Sequence, residues 1–263
     1  MLTFIDSHAH LTSSAIYADI EAVLERAQAA SISGIINICT DEDSLARALP
    51  LAKKHPWVYN AACTHPHDVE DRGEIEFPIM AKHAHEGHLV AIGETGLDYF
   101  YHHSSPEKQQ IFLRRYLKLA LECHLPVIIH CREAFADFFE ILDKEYVVNG
   151  KHAPGVLHCF TGTIAEAEEV IKRGWYLSLS GITTFKKSEE LRAIAKIIPL
   201  ELLLIETDSP YLAPQSHRGK ANEPSFLPET AKVIAEVKEI SLEELAEATS
   251  FNAKKLFNLK TAN

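Results

Sequence analysis

The chain has 263 residues, 46% hydrophobic and 24% charged, a balance that excludes a disordered or fibrous chain and suffices to bury a sizeable core. Its formal net charge of −11 argues against a protein that grips duplex nucleic acid through a broad basic face. That exclusion lapses where divalent cations supply the positive charge, because bound ions invert the sign of a pocket.

Eight short apolar, β-branched runs punctuate the sequence, at residues 2–6, 34–39, 57–63, 89–94, 126–130, 155–158, 175–180 and 202–206. Runs of this length bounded by Gly or Pro fit strands buried on both faces. The first begins almost at Met1, which reads as a strand and not as a basic leader followed by a long apolar stretch. Helical periodicity fills the intervals at 15–30, 41–54, 106–123, 164–172 and 188–197. In 106–123 the apolar residues Ile111, Phe112, Tyr116, Leu119, Ala120 and Cys123 recur at three- and four-residue steps after a Ser105-Pro106 start. Ser241-Leu242-Glu243-Glu244 opens a last helix.

Strands alternating with helices predict an α/β fold with a parallel sheet. Eight strands can close a (β/α)8 barrel of the TIM type, whereas a doubly wound open sheet has the same local rhythm. The polar residues favour the barrel: Glu94, His130, His158, Glu206 and Asp208 all fall at or just past strand ends, where such barrels build their sites. With no linker, low-complexity tract or fixed-period repeat, residues 1–263 are read as one domain. The cysteines Cys39, Cys63, Cys123, Cys131 and Cys159 are odd in number and lack a Cys-x-x-Cys. They are expected to be buried free thiols of a reducing compartment, the cytoplasm, and no membrane-spanning run is present.

His8 and His10 stand two apart, so both imidazoles can leave one face of a strand. Asp6 before them can orient a ligating histidine. An isolated His-x-His is often incidental, and the constellation carries more weight. Glu94 can bridge two cations through its two oxygens; His130 and His158 each follow an apolar strand; Asp208 can serve as ligand and as base. Four imidazoles and two carboxylates would serve two divalent ions with positions left for water. The donor mix suits zinc, manganese, iron, cobalt or nickel, with magnesium preferring fewer imidazoles. His65 and His67 are candidates for substrate contact or plain loop histidines beside Pro66. Arg132 can point into the same pocket as His130, and Arg218, Lys220 and Asn222 together can hold a phosphate or carboxylate. His83, His85, His88, His102, His103 and His217 read as surface residues.

Several segments together resemble the TatD family of metal-dependent deoxyribonucleases, within the amidohydrolase superfamily. They are Asp6-Ser7-His8-Ala9-His10-Leu11, Gly93-Glu94-Thr95-Gly96-Leu97-Asp98-Tyr99 and Pro126-Val127-Ile128-Ile129-His130-Cys131-Arg132. His158-Cys159-Phe160-Thr161-Gly162, Glu206-Thr207-Asp208-Ser209-Pro210-Tyr211-Leu212 and Arg218-Gly219-Lys220-Ala221-Asn222-Glu223-Pro224 complete the set. The resemblance runs from residue 4 to about 258 and implies a barrel with two divalent metals on His8, His10, Glu94, His130, His158 and Asp208. The segment Ala62-Cys63-Thr64-His65-Pro66-His67 departs from the family's Gly-hydrophobic-His-Pro but keeps His65, whose implied role is substrate contact. The resemblance implies hydrolysis of DNA phosphodiesters from a 3′ end, on single strands or 3′ ends. Catalysis would fall to Asp208 and Glu94, with His65, Arg132, Arg218, Lys220 and Asn222 on the substrate. Two alternatives stand beside it. One is an amidohydrolase-type enzyme of small amides, lactones or phosphoesters; the other is a metal-stabilised scaffold without activity. The oligomeric state stays open, a monomer included.

Overall fold

The computed structural model describes residues 2–259; Met1 and residues 260–263, the ends of the expected 1–263 domain, lie outside the described residues. All eight expected strands form. They are β1 (Phe4–Ala9), β2 (Ile32–Cys39), β3 (Val58–Ala62), β4 (Ala91–Asp98) and β5 (Val127–Arg132), then β8 (Gly155–Leu157), β9 (Tyr176–Leu179) and β10 (Leu203–Ile205). The two-residue strands β6 (Val147–Val148) and β7 (Lys151–His152) make a separate antiparallel ribbon. The eight pair in parallel and in chain order, with no crossover, as a barrel requires and a doubly wound sheet does not allow. Closure runs through the ends of β1 and β10. Ala9 bridges Ser209, the His10 amide donates to the Ser209 carbonyl at 2.7 Å, and the Asp208 amide donates to the His8 carbonyl at 2.9 Å. The chain folds as a TIM-type barrel.

One buried cluster takes a side chain from every barrel strand: Ile5, Ile36 and Ile38, Ala61, Ala91, Ile128, Val156, Tyr176 and Leu204. These are the inward-facing positions. The larger cluster lies between the sheet and the helices. Because side chains alternate along a strand, the residue two past an inward one also points inward. That rule carries Ile128 to His130, Val156 to His158 and Leu204 to Glu206. His8 and Glu94 lie an odd step past Ile5 and Ala91. They reach the interior because register shifts between Asp6 and Ala9 and between Ile92 and Thr95 reset the alternation.

The surrounding helices are α1 (Ser14–Tyr17), α2 (Ile20–Ala29), α3 (Glu42–Lys54), α4 (Gly73–His85) and α5 (Pro106–Cys123), then α6 (Phe135–Glu145), α7 (Ile164–Lys172), α8 (Glu189–Ile197), α9 (Leu227–Lys238) and α10 (Leu242–Leu256). The single helix expected over 15–30 is broken into α1 and α2. Helices α4, α6 and α9 were not anticipated: α4 contains Pro78 and buries Glu76, and α9 opens on Leu227-Pro228, both of which blur a periodic pattern. In α6 the buried residues Phe135, Phe138, Ile141 and Leu142 keep the helical spacing, so that helix is as readable as the others. Ala253, Leu256 and Phe257 from the end of α10 join the barrel-interior cluster and plug its lower end. No described helix is long and apolar enough to cross a membrane. All five cysteines are free; Cys39 and Cys63 are buried as expected, but Cys123, Cys131 and Cys159 are partly exposed.

Gly96 shows how tightly β4 and β5 must approach beneath the site. Its φ is +146°, and a Cβ there would stand 1.9 Å from the His130 carbonyl oxygen. Gly96→Ala is expected to lower the thermal midpoint by at least about 5 °C, since neither the backbone conformation nor the contact can relax cheaply. Gly150→Ala is the control for the backbone strain alone, because its φ of +74° is also positive while its Cβ would meet nothing within 4 Å, so the excess loss in Gly96→Ala reports the contact. A thermal melt of both variants checks the difference.

Candidate metal centre

The six expected ligands converge at the C-terminal end of the barrel, around the two oxygens of Glu94. Oε2 lies 3.2 Å from His8 Nε2 and 3.6 Å from His10 Nε2. Oε1 lies 2.7 Å from His158 Nε2, 3.0 Å from His130 Nδ1 and 3.4 Å from His65 Nε2. Asp208 Oδ1 completes the first group at 3.6 Å from His8 Nε2 and 3.5 Å from His10 Nε2. Glu94 therefore stands between two donor sets, one on β1 and the β10 end, the other on β5 and β8. Its position differs from the expected strand terminus: β4 continues to Asp98, so Glu94 sits inside the strand, as His130 does in β5.

These residues suit a metal. Five imidazoles face one buried carboxylate, and His8 Nε2 and His10 Nε2 meet at 3.2 Å, more lone pairs than the available protons satisfy. Tetrahedral metal bonds of about 2.0–2.2 Å space their donors about 3.3–3.6 Å apart. The separations of 3.2–3.6 Å among His8, His10, Glu94 and Asp208 are close to this, whereas Glu94 to His158 and His130, at 2.7 and 3.0 Å, would have to open slightly. Burial and the neighbouring His158 hold the His8 imidazole below its ordinary pKa, as suits a ligand. At His10, His130 and His158 burial is outweighed by the facing carboxylates, which raise the pKa, and a bound ion would displace those protons. Burial opposes ionisation of Glu94, yet the charge of His158 and His65 and the hydrogen bonds from His130 and His158 hold it well below the usual carboxylate range.

Three carboxylates around the ligands have different roles. Asp6 does not reach an imidazole, contrary to expectation. It accepts from the His8 amide at 3.3 Å, the Thr207 amide at 3.0 Å and the Thr207 hydroxyl at 2.6 Å, clasping β1 to the end of β10. Burial pushes its carboxyl up to about 7 against those bonds. Asp98 was missed by sequence reasoning. Its Oδ2 lies 2.8 Å from His130 Nε2 and 2.9 Å from His67 Nε2, while its Oδ1 accepts from the Phe100 and Tyr101 amides. With Nε2–H donated to Asp98, His130 presents Nδ1 to the Glu94 side. Nothing in Leu97-Asp98-Tyr99 announces this; the signal is the second nitrogen of His130. Glu206 is fully buried, its nearest partner being His158 Nδ1 at 3.4 Å, close enough for an ion pair but not aligned as a hydrogen bond.

The site floors a cleft of about 1060 Å³. His65, His67 and Arg132 line it, the Arg132 guanidinium lying 3.8 Å over Phe100 and 4.9 Å from Tyr101. Arg218, Lys220 and Asn222 do not line it. Asn222 is buried and donates its amide to the Thr207 and Tyr211 carbonyls, each at 2.7 Å, so it braces the loop carrying Asp208. Arg218 lies over Phe185, and Lys220 is exposed. Of the histidines expected on the surface, His102 and His103 are exposed, whereas His217 stacks on Phe226 and pairs with Glu229.

The family model of TatD related DNases matches residues 5–258. The uncharacterized metal-dependent hydrolase YabD of Bacillus subtilis (strain 168) is 40% identical over 255 residues, spanning 97% of this chain and 98% of its own. The chain belongs to the TatD family. Another relative, the 3′-5′ ssDNA/RNA exonuclease TatD of Erwinia tasmaniensis, is 37% identical over 260 residues, covering 97% of this chain and 99% of its own. The crystal structure of YJJV, a TatD homologue from Escherichia coli K12, superposes with a TM-score of 0.92 at 30% identity, over 99% of this chain and 100% of that one. As a TatD-family protein the chain is a metal-dependent hydrolase, and it carries several His, Glu and Asp clusters able to hold an ion.

Proposed function

We propose that this TatD-family hydrolase is a deoxyribonuclease that releases nucleotides from the 3′ end of DNA, using two divalent ions. The observation that carries this reading is the division of donors by Glu94: His8, His10 and Asp208 on one side, His130 and His158 on the other, at the floor of a cleft lined by Arg132. Two-cation sites of this kind suit displacement at phosphorus, where attacking and leaving oxygens need stabilising together.

Bound divalent ions supply an acidified water and polarise the phosphoryl oxygen. The protein's own groups do the rest. Asp208 Oδ1 faces His8 and His10, which leaves Oδ2 to accept the proton of the attacking water. Arg132, fixed by its aromatic neighbours, binds a phosphate beside the scissile bond. His65, 3.4 Å from Glu94, orients the scissile phosphate. A terminal nucleotide needs only this small cleft, so a net charge of −11 is compatible with a nucleic-acid substrate.

The test strips the protein of metal and restores zinc, manganese, magnesium, cobalt, nickel or iron in turn. Single-stranded DNA labelled at its 5′ end should then shorten stepwise. Small amides, lactones and phosphoesters are offered in parallel. Turnover of those alone, with no nucleotide released under any metal, would overturn the nuclease reading and leave a small-molecule hydrolase.

A further inference from the structure

We propose that the loops following β9 and β10 form a basic wall beside the cleft that carries the phosphate backbone of single-stranded DNA upstream of the cleaved nucleotide. The inference rests on the nuclease reading above and extends it from one nucleotide to several.

Four cations meet on these two loops: Lys186 and Lys187 after β9, Arg218 and Lys220 after β10. All four are exposed. None pairs with a carboxylate among the described residues, although the protein as a whole is strongly acidic. Elsewhere its exposed cations are commonly paired, as Arg114 is with Glu145 and Arg115 with Glu74. The loops are also built to hold the charges in place. Arg192 donates to the carbonyls of Thr183 at 3.1 Å, Phe185 at 2.7 Å and Lys186 at 3.2 Å, fixing the backbone from which the two lysines project. The Gln215 amide donates to Thr184 Oγ1 at 2.8 Å, and the Arg218 guanidinium lies 4.7 Å from the Phe185 ring centre. A Cβ on Gly181 would stand 2.3 Å from the Leu212 carbonyl, so the two loops pack directly on each other.

Their inner residues, Ile182 and Leu212, line the cleft, and the basic wall is therefore continuous with the site. The cleft lining itself carries Asp68, Glu133 and Glu166, from the loops and the helix after β3, β5 and β8, and Glu190 at the start of α8 just past the two lysines. A polyanion whose end enters the cleft is repelled by these carboxylates and drawn outward to the exposed cations of the two loops. A chain whose 3′ end is at the metal donors thus leaves over β9 and β10. In barrels of this kind the loops after the seventh and eighth strands frequently hold phosphate, and β9 and β10 occupy those places.

The experiment compares a 20-nucleotide single strand with a dinucleotide in the metal-loaded enzyme across a salt series. Contact with up to four phosphates predicts a slope of log(kcat/KM) against log salt steeper by up to about 2.8 for the long substrate. Lys186→Glu/Lys187→Glu should raise KM for the 20-mer at least about tenfold at low salt. It should leave the dinucleotide within about twofold and flatten the long-substrate slope by about 1.4. Lys186→Ala/Lys187→Ala should act in the same direction with a smaller loss, and a thermal melt verifies folding of both. Equal effects on both substrates, or an unchanged salt slope, would overturn the basic wall. Fluorescence anisotropy with a 5′-labelled 20-mer separates the two proposals. Without nucleotide release, salt-sensitive binding lost in the lysine variants would keep the wall and remove the nuclease; binding that ignores the lysines would remove the wall.

Discussion

Glu94→Ala is expected to reduce kcat by at least about 10³-fold and to strip the protein of bound metal. Among the described residues the carboxylate is the one that pairs with both donor sets, so its loss removes an oxygen from each and leaves His8, His10, His130 and His158 without a common partner. Several kcal/mol of transition-state stabilisation depend on ions held in such a site, and each 1.36 kcal/mol is a factor of ten. Metal content by mass spectrometry and steady-state rates, measured together, check the result. A variant that keeps its full metal load would show that the two donor sets do not depend on Glu94.

Asp98→Ala is expected to weaken metal binding about 10–100-fold while leaving every ligand in place. Asp98 orients His130 through Nε2 and is shared with His67, so its removal frees the imidazole to rotate or to present the other nitrogen. It also leaves the Phe100 and Tyr101 amides without their acceptor, but both residues are exposed, so water can replace it and little stability is lost. Competition with a chromogenic chelator measures the affinity, and a thermal melt of the metal-free protein measures the stability. Asp98→Asn keeps one acceptor oxygen and should fall between wild type and alanine. Unchanged affinity in the alanine variant would assign Asp98 to loop structure alone.

The strands were legible because each is a short apolar run buried on both faces, and their number pointed to a barrel. Closure was not legible, since the Ala9–Ser209 bridge joins opposite ends of the sequence. His130 and His158 could be read from position, each two past an inward residue. His8 and Glu94 obey no such count, because register shifts precede both. They were found by chemistry, as an imidazole pair and a carboxylate after an apolar run. Asp98 was invisible because its role lies in a contact with His130, and sequence spacing does not report which nitrogen of an imidazole faces which partner. Adjacency misled at Asn222, which was grouped with Arg218 and Lys220. Three polar residues in five positions looked like one binding loop, but the side chain of Asn222 turns inward to hold Thr207 and Tyr211 while the two cations turn outward.

The clasp between Asp6 and Thr207 spans 201 positions of the chain. A donor set that includes both His8 and Asp208 therefore has no local precursor: until the last strand docks, the nascent polypeptide offers an ion only scattered histidines. Long-range closure of this kind is slow compared with local helix formation. Metal acquisition is thereby tied to completion of the barrel, and an ion that binds only the finished form stabilises it by mass action, about 2.7 kcal/mol at a hundredfold excess over its dissociation constant. Chelation should accordingly lower the melting temperature as well as the rate, and the same divalent cation acts as reagent and as the last fastener of the fold.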